Sequence, residues 1–347
     1  MVDEPSPVVK MKARLKMADV ARLAGVSVSS VSRALADSPL IPLELRQRIH
    51  AIAREHGYVI NQAARNLRLK TTRTIGLILP LSHQVDQQLT DPFLLELIGA
   101  LADEVVRRGY DLLLSKITQS PEGWLFDLTH SHRFDGLIIL GQGDQHAALQ
   151  AVGLDYGTMV VWGEKMPEQS YCTVGVDNVM GGLLATRHMM AGGCRDIVFV
   201  GPSNMPEPLA RYDGYAQGLG SSTCKVGGPV HVPCLFSFES ARVAVNEFIA
   251  RKVPFDGLCC ASDVIAEGAI AALTAAGLRV PDDVAVAGFD DIAMARNLSP
   301  PLTTIRQDRT AGARQMVDIL FSRLGGEAKP SVQMAAELVV RGSTRAV

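Results

Sequence analysis

Met17 to Leu35 reads MADVARLAGVSVSSVSRAL, and its residue types suit contact with nucleic acid, not bond making. A helix-turn-helix needs a small residue where its helices cross, a glycine in the turn and apolar residues on the facing sides. Ala21 and Gly25 fill the first two places, and Val20, Ala24, Val26, Val31 and Ala34 the third. The second helix then presents Val28, Ser29, Ser30 and Arg33 outward, with its first turn towards a major groove. An ordinary helical hairpin is the plain alternative. Charge favours the groove-reading one: residues 1–74 carry 13 Lys/Arg against 6 Asp/Glu, in a chain whose formal charge is −2. A basic head on an acidic body calls for a polyanion partner.

Catalytic constellations do not emerge. The sequence holds no GxSxG, no Walker A loop and no HExxH. His130 and His132 lie two apart, which on a helix does not bring them to one face. The six cysteines form no CxxC pair, so neither a zinc site nor a disulfide scaffold is expected. The expectation is a non-enzyme without cofactor or metal. No apolar run approaches the roughly 20 residues of a membrane span, and no apolar signal segment opens the chain. A reducing cytoplasm is the expected compartment, with no membrane partner.

Elements must hold these residues. With 347 residues, two or three domains are expected. Residues 1–16 lack periodicity and read as a mobile arm. In residues 17–60, Gly25 stops the first helix, Ser27 caps the second, and Pro42 starts a third that turns Leu45, Ile49 and Ile52 inward and ends at Gly57. A polar, basic linker fills 61–73. From residue 74 a βα rhythm sets in, with strands predicted at Ile75–Leu79, Tyr110–Leu114, Gly136–Leu140, Met159–Trp162, Ile197–Val200, Gly257–Ala261 and Val284–Ala287. A clear helix is expected at Phe93–Arg108. This alternation implies parallel sheets covered on both faces, with ligands at the carboxyl ends of the strands. Residues 74–347 suffice for two such lobes with a cleft between them.

Motifs in fixed order now accumulate: DVARLAGVS at Asp19–Ser27, VSRAL at Val31–Leu35, GYVINQAARNLR at Gly57–Arg68, TRTIGLILP at Thr72–Pro80, FDGLIIL at Phe134–Leu140, GLRVPDDVAVAGFDDI at Gly277–Ile292 and LSPPLTTIRQD at Leu298–Asp308. Together they resemble the lactose/galactose repressor (LacI/GalR) family over all but the first 16 residues. The resemblance implies an N-terminal all-α helix-turn-helix DNA-binding domain plus an α/β, two-lobed, periplasmic-binding-protein-like domain with parallel sheets. It implies a transcriptional regulator, of repressor type, in which a small-molecule effector controls affinity for palindromic operator DNA. A homodimer is expected, since no leucine heptads follow RGST.

Residue by residue, the resemblance makes Asn61–Leu67 a hinge helix. Asn61 and Arg65 would meet DNA there, and Leu67 would wedge into a minor groove. In the body it implies effector contacts from Phe93, in the loop Asp91–Phe93, and from Arg211, Phe236, Asp263, Asp290 and Gln307. Aromatic faces with Arg, Asp and Gln can grip a mono- or disaccharide. Each also has a plain alternative: Phe93 and Phe236 could be core, Asp263 could cap a helix, and Asp290 could serve a turn. One run departs from the pattern. In Val161-Trp162-Gly163-Glu164, Gly163 stands where the family often carries an acid, and Trp162 offers a stacking plane or packs in the core.

Overall fold

The computed structural model describes residues 15–58, 71–80, 89–220 and 228–346. Asn61, Arg65, Leu67 and most of the N-terminal arm lie outside the described residues. The chain divides into two units, Met1–Thr72 and Arg73–Val347.

In the first unit, α1 (Met17–Ala24) buries Val20, Ala21 and Ala24. It ends at Gly25, whose φ of 68° is left-handed and whose N–H returns to Ala21 and Arg22. Glycine is the residue that adopts this conformation without penalty. The turn delivers Ser27, whose hydroxyl accepts the Ser30 N–H at 3.1 Å and caps α2 (Val28–Leu35). Helix α3 (Leu43–Glu55) closes the core with Ile49 and Ala53. Leu45 and Ile52 pack against that core half-buried, so the inward face of α3 is turned slightly from the one expected.

The second unit holds two six-stranded sheets. In the first, β1 (Thr74–Pro80), β2 (Asp111–Ile117), β3 (Gly136–Leu140), β4 (Met159–Trp162), β5 (Cys172–Val176) and β11 (Val332–Met334) run in the order β11-β5-β4-β3-β1-β2. Helices α4 (Pro92–Arg107), α5 (Trp124–His130) and α6 (His146–Gly153), with α11 (Arg309–Leu324), belong to this lobe. In the second, β6 (Ile197–Val200), β7 (Val230–Val232), β8 (Gly257–Cys260), β9 (Ala285–Asp290), β10 (Thr303–Arg306) and β12 (Glu337–Val339) run in the order β12-β10-β9-β8-β6-β7. Its helices are α7 (Asn178–Ala191), α8 (Pro206–Leu219), α9 (Phe238–Ala250) and α10 (Asp263–Ala275).

Every pairing is parallel except β10 with β12. Strands β1, β3 and β4 are buried along their apolar runs, as a sheet covered on both faces requires. The chain crosses between the lobes after β5, after β10 and between β11 and β12. Helices α7 and α8 pack closely through glycines: a Cβ on Gly214 would overlap the Val179 carbonyl, and one on Gly182 the Arg211 carbonyl. That close approach fixes the turn of α8 that carries Arg211.

Two local expectations need correction. Phe93 is not in a loop. Asp91 caps α4 by accepting the Phe93 and Leu94 N–H groups at 2.9 and 3.2 Å, and Pro92 opens the helix, so Phe93 sits in its first turn. The last predicted strand starts at Ala285 and runs on to Asp290, which carries Asp290 to the rim of the sheet.

Candidate functional site: a groove-reading helix and an interlobe pocket

On α2 the apolar side (Val31, Ala34, Leu35) is buried, and Val28, Ser29 and Arg33 are exposed. Val28 leaves 46% of its surface open. Ser30 is half-buried; its hydroxyl and that of Ser29 lie 2.9 and 2.8 Å from the Ser27 hydroxyl. The helix thus offers a small apolar contact, hydroxyls and a guanidinium on one face.

In the larger unit a pocket of about 120 Å³ opens at the carboxyl ends of both sheets. Phe93, Trp162, Arg211, Phe236, Asp290 and Gln307 all line it. Phe93 and Trp162 face each other with ring centroids 6.0 Å apart. Asp263 does not join them. Its carboxylate accepts the Ile292 N–H at 2.9 Å and the Thr304 hydroxyl at 2.5 Å, and it braces the backbone behind Asp290. Ser262, not Asp263, caps α10.

Arg211 is held from several sides. Its Nε donates to Asn178 Oδ1 at 2.9 Å and its Nη1 to the Ala261 carbonyl at 2.6 Å. Its guanidinium lies 3.9 Å from the Phe289 ring centroid. Asn178 donates in turn to Glu164 Oε2 at 2.7 Å. Glu164, next to the departing Gly163, therefore reaches the pocket through Asn178 and Arg211. A Cβ at Gly163 would press on the Gln142 side chain at 2.7 Å, so the local packing itself calls for glycine.

Asp290 accepts from Gln307 Nε2 at 2.7 Å and lies 3.9 Å from Arg211 Nη1. Burial pushes its carboxyl up to about 7; Arg211 pulls it down and Asp91 pushes it up. Asp290 and Asp291 both have positive φ, at 123° and 52°. Non-glycine residues hold such conformations only where surroundings impose them. Arg309 supplies part of that grip, donating from Nη1 to the Asp290 carbonyl at 2.6 Å and from Nη2 to that of Asp291 at 2.9 Å. Arg341 and Arg306 clamp the Asp291 carboxylate at 2.5 and 2.8 Å.

A family model for bacterial regulatory proteins of the lacI family matches residues 16–61, and one for a periplasmic binding protein-like domain matches residues 186–344. The HTH-type transcriptional repressor CytR of Escherichia coli (strain K12) is 31% identical over 343 residues, 97% of this chain and 98% of that protein.

The chain belongs to the LacI family.

Among other LacI-family relatives, the HTH-type transcriptional repressor PurR of Haemophilus influenzae (strain PittEE) is 28% identical, covering 95% of this chain and 98% of that one. The solved lac repressor dimer bound to operator and the anti-inducer ONPF has a TM-score of 0.84 at 25% identity, over 96% of this chain and 100% of that chain. A transcriptional regulator CelR–cellobiose complex has a TM-score of 0.67 at 27% identity, over 95% and 100%. The helix-turn-helix unit and the two-lobed α/β unit with parallel sheets are thus the LacI-family architecture. No helix among the described residues is long and apolar enough to cross a membrane.

Sequence reasoning missed several pocket residues of this LacI-family chain. Asp91 and Glu207 both line the pocket. Burial raises the carboxyls of both. Glu207 Oε1 accepts the Gln142 N–H at 3.2 Å. The Asp-Pro pair at 91–92 could have been found as a helix start; nothing local marked Glu207. A second groove of about 490 Å³ lies between α5 and α6, lined by Trp124, Phe126 and Tyr156. It is larger, yet it collects none of the predicted residues.

Proposed function

We propose that this chain is a homodimeric repressor that binds a palindromic operator and releases or tightens it when a mono- or disaccharide enters the interlobe pocket. One observation carries the effector half: Phe93, Trp162 and Phe236 line a single pocket together with Arg211, Asp290 and Gln307. Aromatic faces take the apolar side of a sugar ring while the polar groups meet its hydroxyls. The pocket volume is below the ~300–1,000 Å³ of sites for drug-sized ligands, which suits a compact ring.

For DNA, Val28, Ser29, Ser30 and Arg33 would meet base edges from α2, and a dimer would place two such helices on successive half-sites. Asn61, Arg65 and Leu67 would act in the minor groove, with Leu67 as the wedge. Effector binding in the cleft would alter the lobe angle and, through it, operator affinity; the coupling is reciprocal, so operator alters effector affinity by the same factor. Regulation of transcription in the cytoplasm, without catalysis, follows from this reading.

A thermal-shift screen of the protein against mono- and disaccharides tests it. A carbohydrate that binds the folded state raises the melting temperature by mass action, and Arg211→Ala removes that rise. A rise that persists in Arg211→Ala would place the ligand elsewhere.

A further inference from the structure

We propose that the interlobe pocket admits uncharged or amine-bearing carbohydrates and rejects phosphorylated and acidic ones, with Glu207 setting that choice. This rests on the carbohydrate reading above and narrows it to a charge class.

Among the described residues three carboxyls line the pocket, from Asp91, Glu207 and Asp290, against one guanidinium, from Arg211. Each carboxyl has an oxygen held by the protein: Asp91 Oδ1 by two N–H groups, Glu207 Oε1 by the Gln142 N–H, and Asp290 Oδ1 by Gln307. Their second oxygens are left to accept from a ligand. Arg211 is partly committed: Asn178 and the Ala261 carbonyl take its Nε and one Nη1 bond, leaving three of its five N–H groups. Arg309, the next cation, is spent on the Asp290 and Asp291 carbonyls and on Glu96. Among the described residues the lining thus leaves three carboxyl oxygens in want of donors. Hydroxyls and ammonium groups supply the missing donors. A phosphate or carboxylate would bring more acceptors and a like charge into a partly desolvated site, where repulsion is weakly screened. Among the described residues Glu207 is the lining carboxyl that neither caps a helix nor forms a direct ion pair; burial raises it while Arg211 draws it down, and its ionised form is the charge an anion meets.

The test compares matched probes by calorimetry with the full-length protein: glucose, galactose and ribose, each beside its phosphate, and the hexoses also beside glucuronate, galacturonate, glucosamine and galactosamine. The uronates keep a fixed charge near neutral pH. The expected result is binding by a neutral or amino member, with its anionic counterpart at least roughly tenfold weaker. In Glu207→Gln, which keeps the side-chain shape and an acceptor for the Gln142 N–H, that gap narrows by about fivefold or more. The wild-type comparison stands whether or not the variant folds. An anionic member that binds as tightly as its neutral partner, or a gap unchanged in a folded Glu207→Gln, overturns this proposal and leaves the carbohydrate reading intact. A panel in which no member of any charge binds overturns this proposal, and the carbohydrate reading falls with it when the disaccharide screen is empty too.

Discussion

Arg309 Nη2, at the start of α11, stands 2.8 Å from Glu96 Oε2 on α4, a first-lobe ion pair whose two partners each also reach the second lobe at the rim of the pocket. Glu96 lies on α4 in the first lobe. From there its other oxygen also accepts the Ala293 N–H of the second lobe at 3.3 Å. Arg309 meanwhile holds the carbonyls of Asp290 and Asp291, and its guanidinium carbon lies 5.9 Å from the Phe93 ring centroid. One ion pair thus touches the α4 turn bearing Phe93 and the strand end bearing Asp290. Residues sharing a network lose stability together. Glu96→Gln and Arg309→Met should each destabilise the protein in denaturant unfolding, and the double variant should be little worse than Arg309→Met alone, with a coupling of about 1 kcal/mol. Strictly additive losses would show that the pair does not act as a unit.

Arg211 is the next case. Replacing it with alanine leaves Asn178 Oδ1 and the Ala261 carbonyl without their donor and Asp290 without its nearest cation. Effector affinity should fall by about 1.5–3 kcal/mol, roughly 10- to 100-fold. Arg211→Lys should recover only part of that loss, because one ammonium cannot reproduce the guanidinium fork. Calorimetry with the carbohydrate found by screening checks both. An unchanged dissociation constant in Arg211→Ala would remove this side chain from the site.

The Asp290 carboxyl gives a pH dependence. Burial raises it to about 7, against the pull of Arg211, Gln307 and Arg309 and with the push of Asp91; Asp263, behind it, adds to the mutual repulsion. A raised folded-state value means its stability contribution is present below the ordinary 3.8 and is lost as pH climbs to about 7. A hydroxyl donates better to the ionised carboxylate, so effector affinity should rise between about pH 6 and about pH 8. Asp290→Asn should flatten that rise. A wild-type profile as flat as the variant's would show that Asp290 does not meet the ligand.

On the head, two substitutions separate folding from reading. Ser27→Ala removes the α2 cap and should cost about 1 kcal/mol of stability. Arg33→Ala and Ser29→Ala should leave the buried face of α2 untouched and each weaken operator binding by roughly 1–3 kcal/mol. Non-specific DNA should respond much less to Ser29→Ala, which removes no charge. Anisotropy titrations with specific and random duplexes measure these differences. Wild-type operator affinity in both variants would exclude α2 as the reading helix.

How far the sequence reached depended on distance along the chain. Gly25, Ser27 and the apolar positions of α1 and α2 act within one or two turns, so spacing alone located them. The continuous apolar runs of strands β1, β3 and β4 were equally plain. Strand β10, Thr303–Arg306, escaped because its residues are largely polar yet buried: Thr303 and Thr304 bond the Thr344 and Asp263 side chains. Strands β7, β11 and β12 are three residues each, too short for a periodic signal. At the pocket, the family resemblance placed five side chains that the fold brings together and a sixth, Asp263, that it turns behind Asp290; Trp162 was legible from its place at a strand end. What no local pattern could show were the long-range pairs: Glu164 with Asn178, Glu207 with the Gln142 N–H, and Glu96 with Arg309.

The central claim is that a carbohydrate in the interlobe pocket controls binding of a specific DNA site. Selection from a random duplex library with the full-length protein, followed by titration of the enriched duplex with and without the carbohydrate that raises its melting temperature, tests this most directly. The account predicts an enriched palindrome and a shift in its dissociation constant of about tenfold or more, within the usual range of allosteric coupling. Enrichment of no palindrome, or a dissociation constant that the bound carbohydrate leaves unchanged, would contradict it.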